Sequence, residues 1–134
     1  MTLAPFEAAP SPIQIHLAAA AAAALLGAWV LLRPKGTAVH RLLGRVWMGL
    51  MVAVALSSFF IPATIGRFLG PFGVIHVLSL WALVSLAMAI GAARTGRIRA
   101  HRIWVVVTYF GAIGGAGAGA FAPGRLISHM LGYG

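Results

Sequence analysis

Four apolar stretches, each about twenty residues long, run through this chain and are separated by short connections that hold nearly all of its charge. A helix rises about 1.5 Å per residue, so twenty residues match a hydrocarbon core about 30 Å thick. The spacing predicts spans over 13–32, 38–61, 73–93 and 99–121. A water-soluble domain of 134 residues could not hide a composition that is 61% hydrophobic and 8% charged, because a small domain has too much surface for its volume. The expected fold is all-α: an integral membrane four-helix bundle built from two tandem helical hairpins, forming one transmembrane domain over 1–134.

Local signals sharpen the boundaries. Arg33-Pro34-Lys35-Gly36 stops the first span. Thr37 is placed to cap the second, which puts His40 at its third helical position. Pro123-Gly124 ends the fourth, and the tail from Arg125 to Tyr133 has length for one or two interfacial turns. Trp29, Trp47, Trp81 and Trp104 are candidates for interfacial anchors. Met1 to Pro12 carries Glu7 and three prolines but no basic side chain, so the first apolar run reads as a spanning helix rather than a cleaved signal.

The net charge of +9 does not point to nucleic acid, because the basic residues sit between apolar runs rather than on a polar face. They set the topology instead. Arg33, Lys35, Arg41 and Arg45 flank the first connection, and Arg94, Arg97, Arg99 and Arg102 the third. The second connection has only Arg67 and the tail only Arg125. Eight of ten positive charges therefore fall on one side, the expected cytoplasmic side, which leaves both termini on the other. The chain has no cysteine, so disulfides, thiolate metal sites and iron–sulfur clusters are excluded. Glu7 is its only acid and precedes the first span, which excludes chemistry by paired carboxylates and argues against an ion-coupled transporter.

The two halves resemble each other. Ile15-His16-Leu17 opens the first span and Ile75-His76-Val77 the third; His40-Arg41 and His101-Arg102 stand at the starts of the second and fourth. The His-to-His separation is 24 residues in one half and 25 in the other. Tandem hairpins have parallel topology, so His16 pairs in depth with His76, and His40 with His101. Each pair could grip one flat ligand, and haem b, whose iron takes two axial imidazoles, suits such a site. The expected metal ligands are thus His16, His76, His40 and His101. The expected propionate partners are Arg41, Arg45, Arg99 and Arg102 at one level and Arg125 or Arg67 at the other. Each assignment has a plainer competitor. A buried histidine is as readily a hydrogen-bonded core residue, and basic residues at helix ends already serve topology and anionic lipid. His129 has no counterpart and reads as tail. In the fourth span Gly111, Gly115 and Gly119 recur four apart, a face for close helix packing that also leaves room for a porphyrin beside the alanine run Ala18 to Ala24.

The runs Pro34-Lys35-Gly36-Thr37-Ala38-Val39-His40-Arg41-Leu42-Leu43-Gly44-Arg45-Val46-Trp47, Ile75-His76-Val77-Leu78-Ser79-Leu80, His101-Arg102-Ile103-Trp104 and Phe121-Ala122-Pro123-Gly124-Arg125 carry a resemblance. Together with Pro12 to His16 and Ala55 to Ile61, they resemble an uncharacterised bacterial family of small four-helix membrane proteins. That likeness covers nearly the whole chain and implies a fold, without an activity, in bacteria; with the charge bias, the expectation is a bacterial inner (plasma) membrane protein with both termini periplasmic. The layout is more distantly similar to transmembrane di-haem cytochromes b, in which alternate helices share a haem. This second likeness implies transmembrane electron transfer through two bis-histidine haems, as a membrane oxidoreductase or electron carrier, with quinone or a redox protein as partner. The alternative expectation is a cofactor-free accessory subunit of a larger membrane complex.

Overall fold

The computed structural model describes residues 1–63 and 67–133. A short helix α1 (Ala4–Glu7) leads into α2 (Ser11–Leu32), α3 (Ala38–Ser58), α4 (Val74–Arg94) and α5 (Ile98–Thr108). A π-helical turn over Tyr109–Gly114 follows, then α6 (Gly115–Ala120) and α7 (Leu126–Leu131). α5, the π turn and α6 form one rod, so among the described residues four helical segments are long and apolar enough to cross a membrane, each near the stretch the sequence predicts. Between α3 and α4, β1 (Arg67–Leu69) pairs antiparallel with β2 (Phe72–Gly73).

Helix ends follow from the residues at them. Pro12 in the first turn of α2 fits a helix start, where a missing N–H costs nothing. The alanine run behind it has the highest helix propensity. Pro34 then forces Arg33 into extended backbone, and Lys35 Nζ donates to the carbonyls of Val30, Leu31 and Arg33 at 2.9, 2.6 and 2.6 Å. Gly36, at φ +80°, makes the left-handed turn into α3. There Thr37 Oγ1 accepts from the His40 N–H at 3.0 Å, the expected cap. At α4 the roles are reversed: the Gly73 N–H donates to Nδ1 of His76, which reaches back one turn to close the helix start.

Each long helix packs beside its sequence neighbours, and the π turn closes the ring by meeting α2. α2 and α4 are therefore diagonal, as are α3 and the fourth rod. Ala23, Trp47, Met51, Ala82, Leu86 and Ala112 form the buried centre. Two polar ties reinforce it. The Ser58 and Ser79 hydroxyls lie 2.6 Å apart between α3 and α4, and Thr108 Oγ1 donates to the Trp104 carbonyl within α5. Large apolar side chains such as Leu25, Leu42, Leu56 and Phe110 point outward. That arrangement is unfavourable in water and natural in lipid.

The fourth rod departs from a straight α-helix. The π turn widens the helix across the glycine tract, and the three glycines meet different surroundings. A Cβ on Gly111 would lie 2.8 Å from the Trp81 ring, one on Gly115 would make ordinary contact with Leu78 at 3.9 Å, and one on Gly119 would meet open space. Only Gly111 is required by packing.

At the end that carries both termini, the Thr2 N–H donates to the Met130 carbonyl at 2.8 Å, joining the N-terminal segment to α7. Gln14 Nε2 donates to the carbonyls of Phe6 and Glu7, fixing α1 over the start of α2.

Candidate functional site

Among the described residues, a cavity lies near each end of the bundle. At the end rich in basic residues a cavity of about 870 Å³ is walled by His40 and His101 together with Arg41, Arg45, Arg94 and Arg102. Lys35 stands at its edge, while Val30, Trp47, Met48 and Val105 supply apolar wall. The diagonal placement of α3 and α5 brings the two histidines, 61 positions apart in the chain, into the lining of one cavity. Arg99, a sequence candidate, is not on this wall; Arg94, which the sequence offered only as a topology marker, is.

Hydrogen bonds fix most of the imidazole tautomers. A carbonyl can only accept, so the 2.9 Å contact from His101 Nδ1 to the Ala89 oxygen puts the proton on Nδ1 and leaves Nε2 bare. His40 is bonded through neither nitrogen among the described residues, and its Nδ1 is buried without a partner. A buried polar atom left unpaired is unusual and calls for an explanation. The fold thus leaves at least one nitrogen of each ring uncommitted, as a pair of axial ligands requires.

At the other end a cavity of about 730 Å³ is walled by His16, the alanines Ala20, Ala23 and Ala24, and the tract around Gly114 and Gly117. Phe121 and Ile127 of the α6–α7 corner close it. No Arg or Lys is among the described residues on this wall. Arg67 lies on the β1–β2 hairpin, and Arg125 is the N-cap residue of α7. His16 Nδ1 lies 2.9 Å from the Val54 carbonyl and 3.1 Å from Ser57 Oγ, so it carries the proton and Nε2 is bare.

His76 differs. An N–H can only donate, so the Gly73 contact at 3.1 Å leaves Nδ1 unprotonated, and Nε2–H donates to the Ile61 carbonyl at 3.0 Å. Both nitrogens are engaged, the ring is 4% exposed, and it packs between Phe59 and Phe72. It is absent from the wall that His16 occupies. The structure therefore brings His40 and His101 together on one cavity and does not bring His16 and His76 together on the other. His129 is exposed on α7.

A layer of side chains separates the two cavities. Trp47 Nε1 donates to the Ala23 carbonyl at 3.0 Å, and Tyr109 OH donates to the Ala24 carbonyl at 2.7 Å. Trp47 walls the basic cavity, whereas Ala23 and Ala24 wall the apolar one. The sequence held a signal for part of this: a tryptophan and a tyrosine in mid-span need polar partners, and only helix carbonyls are at hand.

Among the described residues no three His, Cys, Asp or Glu side chains converge. A histidine pair can serve as the two axial ligands of a metal whose other positions a macrocycle fills. The basic cavity offers two imidazoles with uncommitted nitrogens and four arginines around about 870 Å³. The apolar cavity offers one open imidazole nitrogen and no basic partner for a propionate.

No curated protein and no solved structure matches the chain. A family model described as "Predicted membrane protein (DUF2306)" matches residues 13–126, nearly the full span from α2 to α7. With four apolar helices filling that match, the chain belongs to this family of predicted membrane proteins.

Proposed function

We propose that this protein is a membrane electron carrier that holds a b-type haem in the basic cavity, with His40 and His101 as axial ligands. The observation that carries the reading is the convergence of these two imidazoles on one cavity ringed by arginines. Bound there, haem would supply a one-electron iron couple whose potential depends on its axial ligands and burial.

The chain's own residues do the rest. The Ala89 carbonyl holds His101 Nδ1–H, which fixes the ring plane and raises the basicity of Nε2. Thr37 caps the first turn of α3 and so sets the depth of His40. Arg41, Arg45, Arg94 and Arg102 present guanidinium groups suited to paired hydrogen bonds with carboxylates. Arg41 is already steadied by its bond to the Gly36 carbonyl at 3.2 Å. Val30, Met48 and Val105 add hydrocarbon to the same lining. The basic end faces the cytoplasm and both termini face the periplasm of a bacterial inner membrane, as the bias of positive charge favours. The proposal holds a single haem, because a second between His16 and His76 would break the bonds of His76 to Gly73 and Ile61.

Optical spectra of the purified protein, oxidised and then reduced, test the reading. The expected result is a Soret band that shifts on reduction, lost in His40→Ala and in His101→Ala and kept in His129→Ala. A colourless, homogeneous protein that co-purifies with a larger membrane complex would overturn it in favour of an accessory subunit.

A further inference from the structure

We infer that the apolar cavity is a binding site for a membrane-soluble hydroquinone, whose ring hydroxyl donates a hydrogen bond to Nε2 of His16. This goes beyond the haem reading and does not depend on it. The cavity holds about 730 Å³, a volume ordinary for a small-molecule site. Its wall is hydrocarbon except for His16 and Ser79. The Ser79 hydroxyl is occupied by Ser58 and the Ile75 carbonyl. His16 is therefore the one polar group on this wall, among the described residues, that is free to orient a ligand.

Its chemistry selects the ligand's. The Val54 carbonyl holds the proton on Nδ1, so the neutral ring offers Nε2 only as an acceptor. A carbonyl or ether oxygen gains nothing from it, whereas a hydroxyl does. In an apolar chamber the penalty for leaving that acceptor unpaired makes the discrimination large. Ser57, whose hydroxyl donates to the same Val54 carbonyl at 3.1 Å, holds the far side of the ring in place. The small side chains supply room: Ala20 and Ala24 of α2 and Gly114 and Gly117 of the fourth rod line the same cavity. An anionic amphiphile is disfavoured because no Arg or Lys among the described residues lines this wall.

The test is equilibrium binding to the full chain in lipid nanodiscs, with decylhydroquinone and its dimethyl ether as probes and haem content read on the same sample. The expected result is that the hydroquinone binds about tenfold more tightly than the ether, one hydrogen bond's worth. His16→Leu should abolish that preference. Gly117→Leu, where a new side chain on the cavity lining meets no neighbour within 4 Å, should weaken both probes by filling the cavity. Equal binding of the two probes to the native protein, or a preference that survives His16→Leu, would overturn the inference and mark the cavity as a hydrocarbon-chain niche. Haem content unchanged in these variants separates that failure from failure of the haem reading.

Discussion

Trp47 and Tyr109, on diagonal helices, meet over the bare backbone of Gly27, with ring centroids 6.4 Å apart. Each ring donates to a carbonyl of α2, at Ala23 and Ala24 respectively. A Cβ on Gly27 would lie 2.5 Å from Trp47 Nε1 and 2.5 Å from Tyr109 Cε2, closer than side chains approach. Three helices are thus locked at one glycine, and that lock divides the bundle into its two cavities.

Gly27→Ala should therefore destabilise the bundle by about 1–3 kcal/mol, the usual cost of forcing volume into a packed core. Thermal unfolding in detergent reads this as a lowered Tm. Gly91→Ala is the control: it is also helical, in the last turn of α4, but its Cβ would meet nothing within 4 Å. Replacing a helical glycine with alanine there should leave Tm unchanged or raise it.

Tyr109→Phe removes one bond to the Ala24 carbonyl and little volume. The expected loss is about 0.5–1.5 kcal/mol, at the lower end if the membrane-inserted reference state finds other partners. Paired with Trp47→Phe in a double-mutant cycle, the two losses should not add, because both rings press on the same glycine.

Thr37→Ala deletes the cap that positions His40. It should cost about 1 kcal/mol of helix stability and lower haem loading, while Thr37→Ser restores both. Haem-to-protein ratio after purification under matched conditions is the readout. A loading defect in the serine variant equal to that of alanine would count against the cap as the cause.

His76→Ala separates a structural histidine from a ligating one. It removes the acceptor for the Gly73 N–H and the donor to the Ile61 carbonyl. Stability should fall by about 1–3 kcal/mol, with the optical spectrum unchanged.

The fold was legible in the sequence because a bilayer leaves a chain few choices. Twenty apolar residues must close their own backbone hydrogen bonds, and helices do so locally. The Thr37 cap and the Arg33-Pro34 stop are local signals, and the structure places them where the sequence does. The repeat predicts a depth pairing of histidines, but depth is only one coordinate. The orientation of each ring depends on which carbonyl or N–H lies beside it. Nothing in the sequence around His76 distinguishes its closing contact with Gly73 from the outlook of His16 toward a cavity. The π turn over Tyr109–Gly114 was hidden for a similar reason. It shifts the register of the rod, so glycines four apart in sequence do not share one environment.

Haem stoichiometry in the native protein and in His76→Ala and His101→Ala tests the central claim most directly, since it separates the two histidine pairs by number. The account predicts one haem per native chain, one per His76→Ala chain and none in His101→Ala. No haem in the native protein, or haem lost with His76 and retained without His101, would contradict it.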